Sequence, residues 1–277
     1  MTDLKELSPK TLFTGKQFWF YPLLDSTSEQ LRRLLQGENL PTYSYYSNTV
    51  GSTLGKDLPE GSLVLTDFQT RGHGQRGSHW HSEPGQNLLF SLLLRPRFLK
   101  PDKQFYLNQA IALAIHDSIS MLLPQGEVFI KWPNDLIVKG FKLAGILIEN
   151  SLSANEMRSS IIGVGLNVHQ LSFPKELVHV TSLEKEGVKT KRRSLLKNLL
   201  ESIERRYLQL RQNRFDELRK DYLSVLFRFG EWAPYRLREG TLIEGRFIDL
   251  LQSGQLLMEY RDGKQRVFAF KEVEFVY

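Results

Sequence analysis

Two apolar runs, SLVLTDF at 62–68 and NLLFSLLL at 87–94, bracket a glycine-rich loop from Arg71 to Gly85. Runs of this length bounded by turn residues read as strands, so the chain has to build a sheet around that loop. Upstream, the aromatic stretch Gln17 to Leu24 reads as another strand. Ser26 with Glu29 three positions later forms a capping-box pattern ahead of EQLRRLL, which predicts a short helix. Residues 41–57, rich in Ser, Thr, Tyr and Gly without a period, read as an irregular insertion.

Downstream, Ile111, Ile115, Ile119 and Leu122 recur at helical spacing, predicting an amphipathic helix from about Lys103 to Leu123 that lies on a sheet. EVFIKW, LAGILIEN and SSIIGVGLNV read as three more strands. Leu195, Leu199, Ile203 and Tyr207, then Phe215, Leu218, Tyr222 and Leu226, predict two helices with charged outer faces. After Phe229-Gly230 the texture changes to short strands separated by Arg238-Glu239-Gly240, Gln252-Ser253-Gly254 and Arg261-Asp262-Gly263, each a turn with glycine at the left-handed position. The expected architecture is α+β, a mixed sheet with helices over residues 1–228, followed by a small β-barrel over 229–277.

Composition narrows the function classes. With 277 residues, 41% hydrophobic and 25% charged, the chain is no disordered or fibrous protein. It has no cysteine, which removes thiol catalysis and zinc thiolate sites. No segment approaches 18 uninterrupted apolar residues and the start lacks a signal-peptide pattern, so a cytoplasmic protein without membrane contact is expected. The net charge of +6 favours anionic ligands, but the basic residues are scattered and form no nucleic-acid stripe.

Three stretches could carry chemistry. In GHGQRGSHW, Gly72 to Trp80, the glycines let the backbone approach a ligand and Arg76 offers a fork to phosphate. The same glycines would serve an ordinary hairpin loop, and the spacing is neither a Walker nor a Rossmann pattern. In KWPND, Lys131 to Asp135, Pro133 should end a strand and present Asn134 and Asp135 at a turn. Lys142, seven residues on, opens an apolar strand, where its ammonium must either snorkel or meet an anion. In Gly163-Val164-Gly165-Leu166-Asn167, two glycines within a strand point to a bulge, close backbone approach or room for a packed helix. His73, His79 and His81 lack the clustered carboxylates or helical spacing of a metal site, and no Gly-X-Ser-X-Gly elbow occurs.

Taken together these stretches resemble the biotin protein ligases, which join biotin to a lysine of carboxylase carrier domains. The matches run in that family's order: Leu24 to Thr27, Gln69 to Trp80, Lys131 to Asp135, Lys142 to Leu147 and Gly163 to Val168, covering about residues 17–170. The resemblance implies a biotin/lipoate ligase-like catalytic domain with a C-terminal SH3-like domain, using ATP and Mg2+ with biotin as substrate. It implies Lys142 and Arg76 as catalytic residues, and biotin contacts from Ser26, Thr27, Gln69, Gly72, Lys142 and Gly145. Nucleotide contacts are implied for Gly74, Arg76, Gly77, Trp80, Asn134 and Asn167, and an indirect magnesium role for Asp135. The partner implied is the biotin carboxyl carrier protein or domain of a carboxylase, and a homodimer is allowed.

The chain departs from the family where GRGR becomes Gly72-His73-Gly74-Gln75 and where an Asn becomes Ser28. Some 16 residues precede the first predicted strand, too few for the winged helix of the DNA-regulating members, so a ligase without DNA binding is expected. The nearest alternative is a lipoate or octanoate ligase of the same superfamily, against which KWPND and LAGIL speak. A catalytically dead adenylate binder and a basic nucleic-acid module are the other classes.

Overall fold

The computed structural model describes residues 7–38, 46–47, 58–74 and 79–276. Its first sheet has eight strands in the order β2-β1-β3-β4-β8-β7-β6-β5. These are β1 (Phe18–Tyr21), β2 (Tyr46–Ser47), β3 (Leu63–Thr66), β4 (Leu88–Leu94), β5 (Val128–Lys131), β6 (Asp135–Val138), β7 (Phe141–Leu152) and β8 (Met157–Leu166). The sheet is mixed, because β1 and β3 run parallel while the remaining neighbours are antiparallel.

Every residue of β4 is buried, since the strand is covered on both sides. Leu88, Phe90, Leu92 and Leu94 join the main core, while Leu93 joins a second cluster with Trp19, Tyr21, Val64, Leu31 and Leu34. Leu31 and Leu34 belong to α1 (Thr27–Gln36), which therefore closes one face. The other face takes α2 (Gln104–Ser120), preceded by a single 3-10 turn at Pro101–Lys103. Ile111 through Ile115 are all buried in α2, so the helix is apolar beyond a single stripe. The reason is the second layer behind it, α3 (Arg192–Arg211) and α4 (Phe215–Ser224).

Asp117 on α2 holds α3 through Arg206, whose Nε and Nη2 lie 2.8 and 3.1 Å from its carboxylate oxygens. Burial opposes its charge, but hydrogen bonds and charge from His116, Arg206 and Arg205 outweigh burial and hold the carboxyl well below its ordinary value of 3.8. A carboxyl lowered on folding stabilises the fold above its unfolded pKa, and that contribution disappears as pH falls through the folded value. Wild type is therefore expected to lose more stability than Asp117→Asn between pH 5 and pH 3, read as the shift in urea midpoint. Equal shifts would remove this pair from the acid response.

The second sheet is five-stranded and antiparallel, in the order β12-β11-β10-β9-β13. Its strands are β9 (Trp232–Leu237), β10 (Leu242–Leu250), β11 (Leu256–Tyr260), β12 (Gln265–Phe268) and β13 (Val273–Phe275). Gly240, Gly254 and Gly263 have φ of 92°, 86° and 80°, the left-handed values that the three turns require. Its end strands β12 and β13 do not pair with each other among the described residues, so there the sheet stays open where the sequence predicts a barrel.

Two local expectations change. Ser26 is the N-cap of α1 but makes no side-chain capping bond, so its hydroxyl is not spent on the helix. The stretch after KWPND is not only a turn: Asp135 opens β6, which pairs back on β5 with Lys131 opposite Asp135. Most of the 41–57 insertion lies outside the described residues. No helix among the described residues is long and apolar enough to cross a membrane.

Candidate active site

Seven segments converge on one cavity of about 550 Å³, a size that suits a small molecule with a nucleotide. Its floor is the mid-sheet crossing of β7 and β8, where Gly145 and Gly165 face each other in register. Trp80 lies across this glycine pair. A Cβ at Gly145 would stand 3.0 Å from Cζ3 of the indole, and one at Gly165 would clash with Cε2, Cδ2 and Cζ2 of the same ring system. The glycines thus make a flat platform for an aromatic plane, which answers why the strand carries them.

Trp80 returns from the glycine-rich loop, whose base is closed by the Trp80 N–H donating to Gly72 O at 3.0 Å. His73 and His79 form an antiparallel bridge just above that closure, and both border the cavity with Gly74. Gly72 lies behind the wall, against Gln69 and Trp80. Arg76, Gly77, Gln75 and Ser78 lie outside the described residues.

Lys142 enters from the second residue of β7. Its Nζ is 2.8 Å from Asp135 Oδ1 and 5.6 Å from the Trp80 ring centroid. An ammonium at the head of an apolar strand has met an anion while keeping about a third of its side chain exposed to the cavity. Asp135 is placed by the β5–β6 hairpin, whose turn contains a cis Trp132–Pro133 bond. The neighbouring Asn134 is buried and locks the hairpin to β7: its side-chain amide donates to Ile146 O, and Ile146 N–H donates to Asn134 O at 3.0 Å.

At the opposite end, Ser26 and Thr27 begin α1 beside Gln69. Gln69 Oε1 accepts the Thr27 N–H at 2.8 Å and its hydroxyl at 3.1 Å. Below them Asp25 accepts from Arg33 at 2.6 Å. Burial works against its charge, yet the Arg33 hydrogen bond, the Ser26 N–H and the charges of Arg33 and Arg71 keep that carboxyl below its ordinary value. It stays an anion that anchors the turn into α1.

Nine of the residues singled out in the sequence border this cavity: Ser26, Thr27, Gln69, Gly74, Trp80, Asn134, Asp135, Lys142 and Gly145. Asn167 does not. It is buried, with its amide donating to Thr181 O at 2.9 Å, and so ties the 177–183 segment to the end of β8. No motif pointed to Lys271, Val273, Glu274 and Phe275, which the second sheet brings to the mouth. Trp132 positions that sheet: its indole N–H donates to Gly254 O at 2.8 Å and its ring lies 4.9 Å from Phe270. A buried tryptophan next to KWPND was the available signal, but a signal only of anchoring. No group of three His, Asp or Glu among the described residues is arranged to hold a metal ion.

A profile of the Biotin/lipoate A/B protein ligase family matches residues 44–167. The bifunctional ligase/repressor BirA of Bacillus spizizenii is 31% identical over 255 residues, covering 88% of this chain and 77% of that protein. This chain belongs to the biotin protein ligase family. Another relative, the biotin–[acetyl-CoA-carboxylase] ligase of Mycobacterium tuberculosis, is 31% identical over 209 residues, covering 74% of this chain and 75% of that protein. The fold is that of the Aquifex aeolicus biotin protein ligase solved with biotin and ATP, at a TM-score of 0.70 and 24% identity, with 94% of this chain and 98% of that one covered. As a biotin protein ligase, the chain carries the α+β catalytic fold with a second, antiparallel sheet, as its sequence implied.

Proposed function

We propose that the cavity performs both halves of protein biotinylation. The biotin carboxylate attacks the α-phosphorus of ATP, releasing pyrophosphate and giving biotinyl-AMP; a lysine amine of the acceptor then attacks the mixed anhydride, releasing AMP. The observation that carries this reading is the placement of Lys142 Nζ above the glycine platform, between Asp135 and Trp80. Two anions have to reach bonding distance there, and a fixed ammonium lowers their repulsion most where water is scarce.

In this reading Ser26, Thr27 and Gln69 bind the ureido ring, with Gly145 giving close backbone approach and Gly72 leaving the room that Gln69 and Trp80 occupy. Trp80 and Gly74 take the nucleotide together with Gly77 and with Arg76, whose guanidinium suits a phosphate. Asn134 borders the cavity on the nucleotide side while locking the β7 backbone, and Asn167 acts through the segment it ties. Magnesium arriving with ATP would share the phosphate charge; Asp135, a carboxylate already turned into the cavity, suits a water-mediated contact with it.

The acceptor is a carboxyl carrier domain of a biotin-dependent carboxylase, a reading supported by the acetyl-CoA carboxylase in the name of the Mycobacterium relative. We read residues 1–228 as the catalytic domain and 229–277 as the small one, acting in the cytoplasm as a ligase without a DNA role and with a homodimer allowed. The scattered basic residues support the absence of a DNA role, and footprinting with biotinyl-AMP present tests it. With labelled ATP, biotin is expected to yield acid-labile acyl-AMP and lipoate or octanoate is not. Adenylate from a linear acid instead would move the chain to the lipoate branch of the family.

A further inference from the structure

Beneath the ring end of the cavity a string of buried hydroxyls joins Thr27 to two serines to which the proposed reaction gives no role. Ser28 Oγ is 2.9 Å from Ser91 Oγ, and Ser91 Oγ is 2.8 Å from Thr27 Oγ1. Each hydroxyl has one hydrogen to give. Thr27 gives its own to Gln69 Oε1, so Ser91 gives to Thr27 and Ser28 gives to Ser91. The string therefore runs in one direction and ends on an amide carbonyl.

Gln69 Oε1 is held by this hydroxyl and by the Thr27 N–H, which can only donate. Its Nε2 is consequently turned the other way, toward Gly72, where a Cβ would come within 3.1 Å. The residue offers donors, not an acceptor, on that side. Gly163 makes the string possible, because a Cβ there would stand 2.8 Å from Ser28 Oγ. The two glycines of β8 thus serve different neighbours, Gly165 the indole and Gly163 the hydroxyl of the residue that departs from the family pattern.

We propose that Ser28 and Ser91 are positioning residues that fix Gln69 as a hydrogen-bond donor, so that the ring end of the site selects a carbonyl acceptor. This rests on the biotin reading, in which that acceptor is the ureido oxygen. Ser91 is fully buried and does not line this cavity, so its effect on the ring end runs through Thr27 and Gln69.

The discriminating probe is 2-iminobiotin, which replaces the ureido oxygen by a nitrogen and, as a cation at neutral pH, presents N–H where biotin presents lone pairs. In adenylation assays Ser91→Ala and Ser28→Ala are expected to raise KM for biotin about tenfold, leave KM for ATP unmoved, and narrow the preference for biotin over iminobiotin about tenfold. Each change removes one oxygen from a small side chain, and melting temperatures confirm the fold. An unaltered biotin KM, or a loss shared equally by biotin, iminobiotin and ATP, overturns the proposal while wild-type biotinyl-AMP formation leaves the biotin reading standing. A wild-type chain that forms no biotinyl-AMP overturns both.

Discussion

Lys142→Ala is expected to cut biotinyl-AMP formation by roughly 10²–10³-fold, the range for removing one preorganised charge-stabilising group from an active site. The ammonium is held by Asp135 at 2.8 Å and faces the Trp80 ring at 5.6 Å, so its position is set before substrates arrive. Stability should change by less than about 1 kcal/mol, as for other partly exposed ion pairs. Lys142→Arg tests position against charge: the larger, planar guanidinium keeps the charge but not the point geometry, and should restore only part of the rate. Labelled-ATP assays beside thermal melts read both quantities. Turnover near the wild-type level in Lys142→Ala would remove the lysine from the chemistry.

Why that residue was legible in the sequence, and others were not, follows from the kind of constraint each obeys. A lysine opening LAGIL and a proline after KW break local rules, and such breaks show in one dimension. The burial of NLLFSLLL and the three glycine turns of the second sheet were legible for the same reason, since period and left-handed φ are local properties. Ser28 and Ser91 break nothing. A serine in the first turn of a helix and another in a strand are ordinary until β4 is laid beside α1, 63 positions apart in the chain. Lys271 to Phe275 likewise carry no motif, and contacts distant in sequence, such as the Trp132–Gly254 hydrogen bond and the Trp132–Phe270 ring pair, bring their sheet to the mouth. Asn167 shows the converse: a residue of a functional motif whose amide works on the backbone of a neighbouring segment.

Gly165→Ala is expected to raise KM for ATP roughly 10–100-fold while barely altering the melting temperature. The added methyl would stand inside the van der Waals contact of the Trp80 ring, and Gly145 opposite leaves no alternative platform. Of the two partners the indole yields, because it ends a side chain on a half-buried loop whereas β8 is paired on both sides. A strand loses nothing by gaining alanine, so the fold should not suffer. In the proposed reading what is lost is the aromatic plane offered to the base, and base–aromatic stacking is worth about 1–3 kcal/mol, tenfold for each 1.4 kcal/mol. Tryptophan emission should shift as the indole leaves its buried seat, with Trp80→Phe as the control that assigns the signal. The two readings separate cleanly: a shifted emission with an unchanged KM for ATP would show that the plane over Gly165 is packing alone, whereas both moving together places the nucleotide on it.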